Sequence, residues 1–151
     1  MTKEQRSTAN HLAETLKNDF PSSAYAQFAA FYKAKFAVES NDLDTAEAEL
    51  RWVLSTKPTV EVAAQAKLRL ARVQYAKQQL DTALATLQVD ALGYAAAFEE
   101  LRGDIYSAKG DIAQARIAYQ KAKDLNQQSE KPISNPLLNL KAEQLAGSKG
   151  V

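Results

Sequence analysis

The sequence contains no cysteine and a single histidine, His11. The absence of cysteine excludes disulfides, thiol nucleophiles and thiolate metal sites. One histidine, with no second histidine or cysteine, does not complete a metal site or a Cys–His pair, so we interpret His11 as a solvated helix residue. The sequence also lacks the G-x-G-x-x-G, G-x-x-x-x-G-K and Ser-x-x-Lys motifs. We therefore expect no enzyme activity, no metal site and no cofactor.

The chain also has little excess charge, few helix breakers and no long apolar run. Its 19 Lys and Arg residues against 18 Asp and Glu residues give a net charge of +1, which does not favour binding to nucleic acid. Only five Gly and four Pro occur in 151 residues, and β-branched residues never alternate for long. These features predict an all-α domain. No apolar run approaches the roughly 18 residues of a membrane span, and the N-terminus has no apolar signal segment.

The tetrapeptide LDTA occurs at residues 43–46 and 80–83, and a related IAQA occurs at 112–115. The aligned alanines, Ala46, Ala83 and Ala115, are 37 and 32 residues apart. These spacings bracket the 34-residue period of the tetratricopeptide repeat. The pattern predicts three helical hairpins, each with a turn just before the repeated tetrapeptide. Gly110 is expected to end one helix with a positive φ, whereas Gln78 and Gln79 make the second turn the weakest.

Other positions recur in step with these alanines. Small residues are predicted at close helix crossings, and large residues four positions after each alanine are predicted to fill the space between helices. The small set is Ala34, Ala71 and Gly103, and the large set is Leu50, Leu87 and Tyr119. Seven residues after each alanine lie Val53, Asp90 and Ala122. Because Asp90 departs from the small-residue pattern, we expect the second helix of repeat two to stop early.

The sequence divides into four predicted segments. Residues 1–19 form a weak N-terminal helix or stalk, and residues 20–126 form the three tetratricopeptide-like hairpins, with helices near 22–39, 43–55, 60–77, 80–88, 94–108 and 112–125. Residues 127–135 are a polar linker, and residues 136–151 hold a C-terminal capping helix that begins after Asn135 and a tail. Such a helix shields the open end of a helical solenoid. Residues 147–151 are expected to be disordered.

Two groups of side chains carry further expectations. The neighbouring carboxylates Glu47 and Glu49, and Glu99 and Glu100, are interpreted as solvated helix surface. Six of the twelve aromatic residues lie between Phe20 and Phe36, and four of them share one helix face that we predict to be core. That face comprises Tyr25, Phe28, Tyr32 and Phe36. Phe31 lies beside it, and either packs against the N-terminal helix or is an exposed anchor for a partner.

Three longer stretches resemble one protein family. They are NDFPSSAYAQFAAFYKAKFAVE, KLRLARVQYAKQQLDTALATL and GYAAAFEELRGDIYSAKGDIAQARIAYQKA. The chain resembles the soluble part of the YfgM family of bacterial inner-membrane proteins from about His11 to Ala146. The resemblance implies a tetratricopeptide-like domain at the periplasmic face of the inner membrane, preceded by a membrane helix that this chain lacks. It also implies an ancillary role at the Sec translocon, with translocon components and a membrane-anchored periplasmic isomerase-type chaperone as partners.

The leading functional hypothesis is a non-catalytic domain that binds other proteins through the face formed by the first helix of each hairpin. The repeat pattern assigns these residues to that face: Phe28, Phe31, Lys35, Gln65, Leu68, Arg72, Tyr75, Glu100 and Asp104. The set is of mixed charge and lacks a row of basic residues, so an acidic C-terminal peptide is not expected as its ligand. Partner capture is expected to use repeats one and two. The alternative is a holdase chaperone that binds unfolded secretory proteins directly.

Overall fold

The computed structural model describes residues 1–88 and 91–147. Within these ranges the regular structure consists of eight α-helices and one short 3₁₀ turn, Leu92–Tyr94, which confirms the all-α prediction. The helices are α1 (Lys3–Asp19), α2 (Ala24–Glu39), α3 (Leu43–Ser55), α4 (Val60–Ala76), α5 (Leu80–Thr86), α6 (Ala95–Ala108), α7 (Ile112–Gln127) and α8 (Pro136–Gly147). Helices α2 and α3, α4 and α5, and α6 and α7 pair as three consecutive hairpins. Helix α1 packs on α2, and α8 packs on α7.

The three hairpin turns have the same backbone conformation. Asn41, Gln78 and Gly110 hold φ angles of 58°, 62° and 78° respectively. In each turn the next residue donates its amide to a carbonyl five residues earlier, at 2.7 Å in the first turn and 2.9 Å in the other two. This is the left-handed helix ending that glycine adopts without strain. The tetrapeptides LDTA, LDTA and IAQA therefore begin α3, α5 and α7, and each follows a turn of the same geometry.

The turns differ in how they cap the following helix. Asp42 and Asp111 each accept a backbone amide three residues on, from Thr45 and Gln114 at 3.1 Å. Gln79 makes no such side-chain hydrogen bond. An uncapped helix start leaves its first amides to water, which weakens the helix. The prediction that the second turn is the weakest of the three thus has a structural basis, and α5 is also the shortest of the described helices.

The aligned small and large residues occupy the core. Ala46, Ala83 and Ala115 are fully buried where the two helices of each hairpin cross. The other repeat positions that the sequence predicts to be packed are also buried: Ala34, Leu50, Val53, Ala71, Leu87, Gly103, Tyr119 and Ala122. The prediction about Asp90 falls outside the described residues, but α5 ends at Thr86, two residues earlier than we predicted. The repeat alignment is confirmed for the described part of each copy.

The predicted aromatic core of the first hairpin is wrong. Tyr25, Phe28 and Tyr32 are 75%, 56% and 62% exposed, and Phe36 is half-buried. The buried face of α2 instead consists of small residues together with Phe31, and it comprises Ala26, Ala30, Phe31, Ala34 and Ala37. Alanines at a helix crossing allow the backbones to approach closely, which the larger aromatic side chains would prevent.

The interpretation of the carboxylates as solvated surface is wrong for two of them. Glu49 and Glu99 are 6% and 7% exposed. Glu49 Oε2 lies 2.9 Å from Lys17 Nζ, and its Oε1 lies 2.7 Å from Lys33 Nζ. Glu99 pairs with Arg102 and Lys121 in a similar way. Buried carboxylates require such partners because an unpaired charge in the interior is very costly.

The N-terminal helix, Lys3–Asp19, is firmly capped at its start. Thr2 and Gln5 form a capping box at its start, in which each side chain bonds the other residue's backbone amide. Ala13 is its buried residue, and Lys17 reaches Glu49 across the helix interface. Helix α1 is therefore attached to the first hairpin chiefly through a small apolar contact and a network of charges.

The C-terminal part of the described chain ends in α8, which begins directly after Asn135. Asn135 accepts the amide of Leu138 at 3.0 Å, which caps α8 as the sequence suggests. The segment before it is held by the side chain of Asn126, which bonds both the amide and the carbonyl of Ile133. Gly147, predicted to be disordered, is the last residue of α8, and the same prediction for residues 148–151 lies outside the described part of the chain.

The shared turn geometry gives a stability prediction at Gly110. A side chain at a positive φ is strained, so Gly110→Val is expected to lower the free energy of unfolding by about 1 kcal/mol or more. Gln78→Gly is the matched control, because it removes a side chain at the equivalent position and is expected to raise stability. Chemical denaturation of both variants measures the two signs. Equal and small changes in both would contradict the strain argument.

Candidate protein-binding groove

A groove runs between α2 and α4, the first helices of the first two hairpins. It consists of two adjoining cavities of about 490 and 280 Å³ that share Lys35 and Arg69. The larger cavity is lined by Ala34, Lys35, Val38, Glu39, Leu43, Leu50, Arg69, Arg72, Val73 and Ala76. The smaller is lined by Phe28, Phe31, Tyr32, Lys35, Gln65 and Arg69. We refer to the two together as the α2–α4 groove.

Local sequence places both walls of this groove. Ser23 caps α2 and Thr59 caps α4, each by accepting the amide three residues on. Beneath the groove a single apolar cluster joins α2, α3 and α4, and it includes Phe31, Leu50 and Val73. Because this cluster fixes the two helices against α3, the groove residues project from a rigid support.

The groove is predominantly basic. Lys35, Arg69 and Arg72 line it, and Glu39 is the acidic residue among the lining side chains. Lys35 Nζ lies 4.0 Å from Glu39 Oε1, which is a weak exposed pair. The guanidinium of Arg69 lies 4.9 Å from the centre of the Phe31 ring. Within the described residues Arg72 makes no hydrogen bond, ion pair or ring contact, and its side chain is exposed.

Five of the predicted partner-binding residues line the α2–α4 groove. They are Phe28, Phe31, Lys35, Gln65 and Arg72. Arg69 also lines the groove and was not among the predicted residues, although it lies four residues after Gln65 and three before Arg72. That spacing places it on the same helix face as both, so the helical period was the signal that could have found it.

Two predicted groove residues belong to the core. Phe31 and Leu68 are each 5% exposed. Phe31 packs in the first apolar cluster with α3 and α4, so it neither packs against α1 nor forms an exposed anchor. Leu68 packs in a second cluster with Phe98 and Leu101 of α6. Leu68 is not among the residues that line the groove, whereas the buried Phe31 borders its smaller cavity.

The remaining predicted residues lie beside α8, away from the groove. Tyr75 and Asp104 line a different cavity with Tyr119 and Lys141. Lys141 Nζ lies 3.0 Å from Glu100 Oε1 and 2.8 Å from Asp104 Oδ1. The acidic residues of repeat three are therefore neutralised within the chain. The expected mixed charge of the binding face does not hold in the α2–α4 groove, where the basic residues predominate.

Lys141 of α8 and Tyr119 of α7 both interact with acidic residues of α6. Burial opposes the charged form of Lys141, but its hydrogen bonds to Asp104 and Glu100 outweigh that cost and raise its pKa above the ordinary value. Burial, together with the nearby Asp104, raises the pKa of the Tyr119 phenol. The protonated hydroxyl of Tyr119 donates to Asp104 Oδ1 at 2.7 Å. These contacts fasten α8 to α6 and α7.

Among residues 1–88 and 91–147, no three His, Asp or Glu side chains are grouped so that they could hold a metal ion. None of the described helices is long and apolar enough to cross a membrane. His11 is exposed on α1.

Comparison with known proteins gives a consistent set of relatives. The family model described as a tetratricopeptide repeat-like domain matches residues 1–147. A protein of Haemophilus influenzae named ancillary SecYEG translocon subunit is 37% identical over 118 residues, which is 78% of this chain and 58% of that protein. Proteins of the same name from Aggregatibacter actinomycetemcomitans and Escherichia coli are each 36% identical, over 81% and 65% of this chain and 60% and 48% of their own lengths. The resemblance that the sequence motifs indicated is thereby confirmed. The chain spans about half to three fifths of the length of these relatives.

Proposed function

The chain belongs to the tetratricopeptide repeat-like domain family, and from this premise we propose that it is a non-enzymatic domain that binds other proteins at the Sec translocon. The observation that carries the proposal is the α2–α4 groove, where three cations border an apolar floor on a rigid pair of helices. Such grooves between the first helices of stacked hairpins bind segments of partner proteins. The names of the relatives support the translocon as the place of action.

The cellular setting is part of the same proposal. We propose that the domain acts at the periplasmic face of the inner membrane, held there by a membrane helix of the full-length protein, and next to an isomerase-type chaperone. Protease protection of the full-length protein in intact and osmotically opened cells tests the setting. Digestion of the domain from the cytoplasmic side would contradict it.

The binding prediction concerns an exposed pair of groove residues. Phe28→Ala with Arg72→Glu is expected to weaken capture of Sec translocon subunits from solubilised inner membranes by about 2 kcal/mol, or roughly thirtyfold. Aromatic and arginine side chains are enriched among residues that dominate binding energy. Both side chains are exposed, so helical circular dichroism should be unchanged.

A matched control removes similar groups elsewhere. Ile117→Ala with Lys131→Glu changes one exposed apolar residue and one exposed cation on α7 and the following segment. This variant should capture the translocon subunits as well as the unmodified chain does. Full capture by the Phe28 and Arg72 variant would show that another surface binds the translocon, and α1 would then be the next candidate.

A second function is favoured by the exposed aromatics of α2. Tyr25, Phe28 and Tyr32 together offer an apolar surface that unfolded chains could contact, as a holdase requires. This reading predicts that the chain suppresses the aggregation of unrelated unfolded proteins. Light scattering with two such proteins at equimolar ratio measures it, and no suppression of either would rule the holdase out.

A further inference from the structure

We propose that the α2–α4 groove accepts an acidic segment of a partner protein, with one apolar side chain on the groove floor and carboxylates contacting Lys35, Arg69 and Arg72. This inference deepens the proposed function and rests on it, because it names the chemistry of the segment that the groove binds.

The groove carries an excess of positive charge that an acidic segment would balance. Three cations lie along one cavity, and the acidic residue in its lining, Glu39, is 4.0 Å from Lys35. Several other charged clusters among the described residues are paired internally, such as Lys77 with Asp44 and Glu47. The guanidinium of Arg72 has no such partner among the described residues. An arginine fork binds a carboxylate with two parallel hydrogen bonds, which makes the acidic group its best complement.

The groove also has an apolar floor. Between the cations the larger cavity is lined by aliphatic side chains of three helices: Ala34, Val38, Leu43, Leu50, Val73 and Ala76. Its volume of about 490 Å³ exceeds that of one side chain, so a leucine or a similar residue can enter it. A phosphate backbone would satisfy the cations and leave this floor empty. A peptide that alternates apolar and acidic residues satisfies both.

Arg69 lines both cavities of the groove. Its guanidinium lies over the Phe31 ring, which is itself fixed in the core, so the charge is held at the junction of the two cavities. A cation held in place by packing loses less conformational entropy on binding than a free side chain does. Lys35 and Arg72 are exposed on either side of it and can adjust to the bound segment.

The test uses blocked synthetic peptides with the whole chain. One peptide carries a central leucine flanked by glutamates, a second replaces every glutamate with glutamine, and a third replaces them with lysine. Fluorescence anisotropy measures the dissociation constants. We expect the glutamate peptide to bind at least tenfold more tightly than the glutamine peptide, with an advantage that shrinks as salt is raised, because salt screens exposed charges. Equal affinities of the two peptides, or no binding of the glutamate peptide, would overturn the inference.

Matched variants place the binding in the groove. Lys35→Gln with Arg72→Gln removes two exposed cations, and it should weaken the glutamate peptide at least tenfold. Lys57→Gln with Lys131→Gln removes the same charge from exposed positions outside the groove, and it should leave the affinity unchanged. Equal losses in the two variants would mean that net charge, and not the groove, attracts the peptide.

A charge reversal gives a gain of function. Lys35→Glu with Arg72→Glu should bind the lysine peptide in preference to the glutamate peptide, which loss of folding cannot imitate. Unchanged preference would overturn the inference. If the chain captures the translocon through Phe28 and Arg72 but does not distinguish the peptides, the acidic chemistry fails and the proposed function stands. If the peptides behave as expected but no translocon subunit is captured, the proposed function fails alone.

Discussion

Glu49→Ala is expected to release α1 from the first hairpin and to lower the free energy of unfolding by about 3 kcal/mol. Glu49 is the shared acceptor of Lys17 on α1 and Lys33 on α2. Its removal leaves two largely buried ammonium groups with Glu14, which is half exposed, as their remaining acidic partner. The loss arises because two largely buried cations then share a single half-exposed carboxylate, and Ala13 is the buried apolar residue of α1.

Hydrogen exchange distinguishes local release from general destabilisation. Amides of α1 should lose protection in the Glu49→Ala variant, while those of α6 and α7 keep theirs. Glu39→Ala is the control, because Glu39 makes only a weak exposed pair and its loss should change stability by less than about 0.5 kcal/mol. The triple variant Glu49→Leu, Lys17→Met and Lys33→Met should recover most of the lost free energy of unfolding. An unchanged exchange rate in α1 would contradict the charge-network account.

The same network gives a direction for the effect of pH. The hydrogen bond from Lys33 lowers the pKa of Glu14 below its ordinary value of 4.5. Glu14 therefore stabilises the folded state above that ordinary value, and its contribution is lost as the pH falls through the lower folded value. Acidification below the ordinary value should consequently weaken the attachment of α1 to α2, which hydrogen exchange of the α1 amides as a function of pH measures.

The repeat could be predicted from the sequence because its signals are local. Ala46, Ala83 and Ala115 are small at a fixed distance from a turn, and a helix crossing admits no large residue there. The turn at Gly110 could likewise be predicted, because a glycine followed directly by a capping aspartate indicates a helix end and a new helix start. In such cases the physical cause and the residues that report it lie within one hairpin.

The faces of α2 could not be assigned from the sequence because two apolar stripes compete on one helix. Hydrophobicity favours burial of Tyr25, Phe28 and Tyr32, but close packing favours the alanine stripe that includes Ala30 and Ala34. The energy gained by a close helix contact depends on the partner helix, which a single helical period does not describe. Phe31 is the aromatic residue of α2 that is buried, because it lies next to the alanine stripe.

The burial of Glu49 depends on partners far along the chain. Glu49 is stabilised by Lys17, 32 residues away, and Lys33. Nothing in the local pattern around Glu49 distinguishes it from Glu47, which pairs with Lys77 and Arg51 nearer the surface. The same limitation applies to the candidate site, because Lys141 of α8 neutralises Glu100 and Asp104, which lie 41 and 37 residues before it.

Gly103→Val is expected to lower the free energy of unfolding by about 3 kcal/mol, near the upper end of the cost of overpacking a core. A side chain built on Gly103 would overlap the ring of Tyr119. That ring is buried, and its hydroxyl is bonded to Asp104, which in turn holds Lys141 of α8. The ring therefore cannot move aside without breaking the contacts that fasten α8, and this loss outweighs the gain in helix propensity over glycine.

A second substitution tests the cause of that loss. Tyr119→Leu removes the overlapping ring, so Gly103→Val should cost clearly less in the Tyr119→Leu background than in the original chain. Denaturant unfolding of the four proteins gives the coupling energy between the two positions. Gly93→Val is the matched control, because a side chain there has nothing within 4 Å and no positive φ is involved. A coupling energy near zero would show that the two residues do not contact each other and that α6 and α7 pack differently.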